Sequence, residues 1–173
     1  IKLKIMDFSI IEKIDSQKMY KVYDIWHEIA KESFELEKEI ENYENINHIV
    51  FAGMGGSGAI GDMFASILSQ TKIHVNVVKG YLLPKTTNKN TLVIIISVSG
   101  NTVETLSVLE AAHKLKSKII TFSSGGKIKE FSIKNNIKHK TVTKFHSPRA
   151  TFTSYLYTIL KVLHKTLKIK EEE

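Results

Sequence analysis

His48-Ile49-Val50-Phe51-Ala52-Gly53-Met54-Gly55-Gly56-Ser57-Gly58 runs from an apolar stretch straight into a glycine turn. Further on, Leu92-Val93-Ile94-Ile95-Ile96-Ser97-Val98-Ser99-Gly100-Asn101-Thr102 repeats the scheme with hydroxyls in place of most of the glycines. Each stretch predicts a buried strand, a tight turn and a helix start. Two such units aim backbone N–H groups and hydroxyls at one point beyond the carboxyl ends of two strands. Open α/β sheets bind ligands there, and helix N-termini favour anions. The second turn, made of hydroxyl, amide and glycine, suits a phosphate.

Working outward, Ile73–Val78, Lys118–Phe122 and a weaker run near 138–143 read as further strands. Helices are expected over about 58–69, 102–115 and 127–133, and in a last segment opened by Ser147-Pro148-Arg149 and striped by Phe152, Tyr155, Leu156, Ile159, Val162 and Leu163. Strands alternating with helices imply a three-layer α/β/α sandwich around a mainly parallel sheet of about five strands. Upstream, Ser16 reads as the N-cap of a long helix. Its stripe is Met19, Val22, Trp26, Ile29, Leu36, Ile40 and Tyr43, with Ser33 filling one gap. The chain thus divides into an N-terminal extension with a long helix (1–46), a ligand-binding domain (47–170) and an acidic tail (171–173). The long apolar stripe suits packing on the sheet or on a second copy.

The chain has no cysteine, which excludes disulfides, thiolate nucleophiles and cysteine metal sites and fits a reducing cytoplasm. No apolar run approaches the roughly 20 residues of a membrane span, and no apolar signal core follows the first lysines. The net charge of +7 is uneven: 7 Lys against 12 acidic residues over 1–62, but 17 Lys and 1 Arg against 3 Glu over 63–170. The lysines are dispersed and few aromatics alternate with them. That pattern describes a solvated, anion-attracting face and argues against a nucleic-acid partner.

Gly53-x-Gly55-x-x-Gly58 satisfies a dinucleotide fingerprint, yet no acidic residue occurs from Met63 to Val103 to hold a ribose. Lys79 is the alternative contact for a 2′-phosphate, although arginine is the usual residue there. No Gly-Lys-Ser/Thr follows the glycines, so a P-loop is excluded. No nucleotide cofactor and no metal is expected, and the seven histidines form no ligand signature. Ser57, between two glycines, can turn its hydroxyl and N–H to the crevice; a purely structural turn is the alternative.

Ser97, Ser99 and Thr102 around Gly100-Asn101 make a nest for a dianion, where plain N-capping would need only one hydroxyl. Arg149 is the only arginine beside 24 lysines. Such a composition uses lysine for generic charge, so Arg149 suits a task needing a planar fork. Its partner can be a carboxylate, a phosphate, an oxyanion formed in reaction, or a structural ion pair. Glu104 reads first as a dipole partner of its helix, and His146 is noted for lying near Arg149.

The motifs Gly53-Met54-Gly55-Gly56-Ser57-Gly58-Ala59-Ile60-Gly61-Asp62, Ser97-Val98-Ser99-Gly100-Asn101-Thr102-Val103-Glu104-Thr105 and Pro148-Arg149-Ala150 resemble the sugar isomerase (SIS) domain. Together, in this order, they are most like the first half of the archaeal-type bifunctional phosphoglucose/phosphomannose isomerases. The resemblance spans about residues 47 to 165. It implies substrates such as glucose, mannose and fructose 6-phosphates and an aldose–ketose isomerisation. By that resemblance Ser97, Ser99 and Thr102 hold the phosphate, and Gly56 and Ser57 meet the sugar near its reacting end. Arg149 stabilises the enediolate.

Members of that family are about twice as long, and their base, histidine and ring-opening lysine lie in a second half that nothing here matches. The chain is therefore expected to be one half of an enzyme, or a stand-alone relative acting as a homodimer. It should bind sugar phosphate more readily than it turns it over. Two other readings remain: a non-catalytic sugar-phosphate sensor, or an isomerase of another phosphosugar with Glu104 or His146 as base.

Overall fold

The computed structural model describes residues 8–167, so the acidic tail 171–173 lies outside the described residues. The elements run α1 (Phe8–Ile14), α2 (Tyr20–Asp24), α3 (Trp26–Glu35), β1 (His48–Ala52), α4 (Gly56–Leu68), β2 (His74–Val78), β3 (Leu92–Ser97), α5 (Val103–Lys114), β4 (Lys118–Ser123), α6 (Gly126–Lys134), β5 (Lys138–Thr141) and α7 (Phe152–Leu167). The five strands form one sheet in the order β2-β1-β3-β4-β5, and every neighbouring pair is parallel. The expected α/β/α sandwich is thus observed.

β1 and β3 are buried at every position, as continuous apolar runs in the middle of a parallel sheet require. Their side chains alternate between two cores. Ile49, Phe51, Leu92, Ile94 and Ile96 meet Ile60, Phe64 and Leu68 of α4 and Tyr155, Ile159, Val162 and Leu163 of α7. Val50, Ala52, Val93 and Ile95 meet Val108, Leu109 and Ala112 of α5 and Ile128 of α6 on the other face. Phe51 and Phe64 stack with ring centroids 5.2 Å apart. Truncating either to alanine would cost about 3–5 kcal/mol.

α4, after β1, lies on one face, and α5, after β3, on the other. The chain therefore changes winding direction between the adjacent strands β1 and β3. At such a switch point the two departing loops splay apart and leave a crevice at the carboxyl ends.

The N-terminal arm departs from expectation. The helix foreseen from Ser16 to Tyr43 is segmented and shorter. Asp15, not Ser16, receives the Tyr20 N–H at 2.9 Å, Ile25 interrupts the helix between α2 and α3, and α3 stops at Glu35. Beyond it, Glu37 and Glu39 reach Lys140 of β5 at 3.2 and 2.6 Å, and Glu39 and Glu41 reach Lys138 at 3.3 and 2.9 Å. Glutamates at every second position share one side only in extended chain, where they meet the two lysines spaced alike on a strand. In a helix, Glu35–Glu39 and Glu37–Glu41 would be like-charge neighbours one turn apart. The last helix also starts later than expected, at Phe152, because residues 147–151 form a turn of their own.

Candidate functional site

A cleft of about 590 Å³ opens at the switch point. One wall is the glycine turn, with Met54, Gly55, Gly56 and Ser57; another is Val98, Ser99 and Thr102; the third is Ser147, Pro148 and Arg149, with Met19 at the rim. Three segments far apart in sequence thus converge, and five of the six expected site residues line one space. Ser97 is the exception. It is 2 % exposed and lies beneath the floor. Its hydroxyl accepts the Gly100 N–H at 3.1 Å and stands 2.9 Å from the Thr102 hydroxyl. With Ser97 donating in that pair, the Thr102 proton is free for a ligand.

The hydroxyl turn is held open by its own bonds. Ser99 Oγ accepts the Asn101 N–H at 3.2 Å, which leaves its proton available. Thr102 is the N-cap residue of α5, but its side chain makes no capping bond. The leading N–H groups of the 12-residue helix therefore have no side-chain cap, and Glu104 in the first turn is the one carboxylate near that positive end. Gly100 sits at φ +69°, and a Cβ there would come within 1.8 Å of the Gly125 carbonyl oxygen. The loop after β3 thus interlocks with the loop after β4. On the other wall, a Cβ on Gly58 would lie 2.8 Å from the Gly53 carbonyl, so the glycine turn folds back on itself.

Arg149 is exposed and makes no ion pair among the described residues. The alternative of a structural salt bridge therefore has no carboxylate partner there. Arg149 is the only charged residue lining the cleft. Glu104 and His146, the two alternative bases, do not line it, and no other carboxylate or imidazole does. Lys79, the alternative nucleotide contact, is bonded to Asp62 at 2.5 Å with its side chain laid over Gly58. Among the described residues no group of three His, Asp or Glu side chains is arranged to hold a metal ion, and no helix is long and apolar enough to cross a membrane.

A second cleft, of about 630 Å³, lies at the opposite end of the sheet, walled by residues 42–47, Thr71, Lys72, Ile73 and the end of α7. Helix C-termini face that end, so its dipoles disfavour an anion.

Sequence reading passed over Met19, Met54, Ser147 and Trp26. The indole N–H of Trp26 donates to the Ala150 carbonyl at 3.0 Å, across 124 positions of sequence. The one signal for Trp26 was its status as the sole tryptophan.

Comparison with known proteins agrees with this geometry. The SIS domain family matches residues 42–162. A bifunctional phosphoglucose/phosphomannose isomerase of Caldicellulosiruptor bescii is 36% identical over 154 residues, covering 87% of this chain and 45% of that enzyme. A D-glucosamine-6-phosphate 4-epimerase of Sulfolobus acidocaldarius is 29% identical over 143 residues, covering 82% of this chain and 44% of that enzyme. The chain spans under half the length of both relatives. Among solved structures, the C-terminal domain of glucosamine-fructose-6-phosphate aminotransferase from Francisella tularensis superposes with a TM-score of 0.66 at 18% identity, covering 89% of this chain and 49% of that one. A matched segment that contains the whole sheet, and both turns at its switch point, places this chain in the SIS domain family.

Proposed function

We propose that this chain is the phosphate-binding half of an aldose–ketose isomerase acting on hexose 6-phosphates. One observation carries the reading. The Ser99 and Thr102 hydroxyls and a helix N-terminus without a side-chain cap face Arg149 across one cleft lined by no carboxylate or imidazole. The phosphate sits at Ser99 and Thr102, with Ser97 supporting Thr102 from below. Gly56 and Ser57 meet the sugar. Arg149 faces the reacting end, where removal of a proton beside the carbonyl leaves an enediolate oxyanion for its fork to stabilise. The base comes from a second SIS half, joined in the same polypeptide or in a partner copy. Such a reaction belongs to cytoplasmic central carbohydrate metabolism, and a chain without cysteine suits that compartment.

Calorimetric titration with fructose 6-phosphate tests the reading, beside a coupled isomerase assay with the second half supplied. Binding by the chain and turnover with both halves support it. No turnover with both halves present sinks it. The lack of a base in the cleft also favours a second reading, a sugar-phosphate sensor. Binding without turnover in the assembly of both halves would be its signature.

A further inference from the structure

We infer that Trp26 is a positioning residue for Arg149, and that the N-terminal arm is part of the site rather than an appendage. The inference rests on the sugar-phosphate reading for what Arg149 does, but not for how it is held.

Arg149 sits on a turn, not on a helix or strand. Its own carbonyl accepts the Phe152 N–H at 3.2 Å. The next carbonyl, that of Ala150, is not used by the helix that follows, whose entry bond runs from the Tyr155 N–H to Thr151 O. Ala150 is fully buried, so its carbonyl needs a partner. The indole N–H of Trp26 supplies one at 3.0 Å. A second tie lies close by: the Ser147 hydroxyl is 3.4 Å from the Met19 sulfur, and that hydroxyl also accepts the Ala150 N–H at 3.3 Å. Trp26 is itself held edge-on by Tyr23, with ring centroids 4.7 Å apart. The arm is anchored to α7 through the bond from Ser33 to Ser154 at 3.2 Å.

The base of the turn is closed independently. Thr151 Oγ1 bonds to Ser147 O at 2.7 Å and accepts the Phe145 N–H at 3.1 Å. Losing the indole N–H therefore leaves the turn folded but free to swing at Arg149. The guanidinium makes no ion pair among the described residues, so its direction is set by the backbone of the turn, which the indole N–H and the Ser147 hydroxyl hold at Ala150. A small displacement of a residue that contacts a reacting group is costly, since complementarity depends on position to within fractions of an ångström.

The chain carries one tryptophan and one arginine, so each can be read without interference. The test uses the 173-residue chain with Trp26→Phe, Arg149→Ala and the double variant. Trp26→Phe keeps an aromatic ring against Tyr23 and removes the donor. Phenylglyoxal modification, followed by the mass of the peptide that carries Arg149, reads that residue and needs no ligand. The expected result is a change of about twofold or more in its rate in Trp26→Phe. Fructose 6-phosphate should also bind about fivefold more weakly by calorimetry, with no further loss when Trp26→Phe is added to Arg149→Ala. An unchanged modification rate overturns the positioning role. So does an equal loss of affinity in the Arg149→Ala background, which would make Trp26 a packing residue.

Should Trp26→Phe fail to fold, the wild-type chain decides: modification of Arg149 should shift Trp26 emission, and unaltered emission overturns the inference. Failure of the wild-type chain to bind fructose 6-phosphate would count against the sugar-phosphate reading instead. The ligand-free modification rate would still judge Trp26.

Discussion

The Ser97 hydroxyl lies 2.9 Å from that of Thr102 while taking the Gly100 N–H, so one buried oxygen both shapes the turn and holds a hydroxyl that lines the cleft. Removing Ser97 and removing Thr102 should therefore have different signatures. Ser99→Ala/Thr102→Ala is expected to weaken fructose 6-phosphate binding by about 100-fold, because two charge-assisted hydrogen bonds are lost, while leaving the urea midpoint nearly unchanged. Ser97→Ala should weaken binding by only about tenfold but cost about 0.5–1.5 kcal/mol of stability, since the buried Gly100 N–H loses one of its two acceptors and keeps the Ser97 carbonyl at 3.1 Å. Calorimetry and urea unfolding on the same preparations separate the two effects.

Gly100→Ala should be among the most damaging single changes. The new methyl would meet the Gly125 carbonyl oxygen at 1.8 Å, at a φ of +69° that disfavours any side chain. A loss above about 3 kcal/mol in urea unfolding is expected, combining backbone strain with overpacking. An unchanged midpoint would show that the two loops separate easily.

The glutamate–lysine ladder between residues 37–41 and β5 makes a pH-dependent contribution of known sign. Lys140 and then Lys138 hold the Glu39 carboxyl below its ordinary value of 4.5. The stabilisation is therefore present above that value and is lost as pH falls through the depressed one. Wild type should unfold at higher urea than Glu39→Gln at about pH 7, and the two should converge under acid. The gap should also narrow in high salt, because Glu39 is solvent-exposed.

His139 should behave in the opposite sense to an ordinary surface histidine. Ser132 Oγ donates to Ile128 O at 2.7 Å and lies 2.8 Å from Thr121 Oγ1, which in turn lies 2.8 Å from His139 Nδ1. That chain runs from an Nδ1–H through Thr121 to Ser132 and leaves Nε2 a buried lone pair without a partner. Burial, with a smaller push from Lys129, lowers the pKa from 6.5 to about 4. In that window the unfolded chain takes up a proton that the folded one refuses, so stability falls as pH drops from 6.5 toward 4. Imidazole NMR should find His139 still neutral near pH 5; if its ring titrates near 6.5, the buried arrangement is wrong.

The sheet and the switch point were legible in the sequence because a central parallel strand is apolar on both faces. His48–Ala52 and Leu92–Ser97 announce this by composition alone. The two turns were legible because glycine and hydroxyl clusters at strand ends have few other uses. The N-terminal arm was misjudged as one helix because its apolar stripe continued at helical spacing past Glu35. The competing signal, glutamate at every second position from 35 to 41, points to extended chain, but it decides the matter only against Lys138 and Lys140, a hundred residues away. Ser97 was grouped with Ser99 by sequence proximity. Their opposite fates follow from where the strand stops: Ser97 is the last residue of β3, inside the core, and Ser99 lies in the turn beyond it, where the alternation no longer holds. Trp26 was counted as packing, since its partner is a backbone carbonyl that no side-chain pattern can reveal.

The meshing of Gly100 with Gly125 has a bearing on assembly of the fold. The Gly125 carbonyl occupies the space that Gly100 leaves by lacking a side chain, and the Ser99 carbonyl and Asn101 side chain occupy the space left by Gly126, so the hydroxyl turn and the following loop take their final shapes together. β4 docked beside β3 is therefore part of what shapes this wall of the cleft, so any ligand affinity of the wall should arise only after the sheet has grown past its centre. For the same reason the segment 97–102 is not a portable cassette: grafted onto another strand–helix junction, it would carry its hydroxyls but not the neighbour that sets their direction.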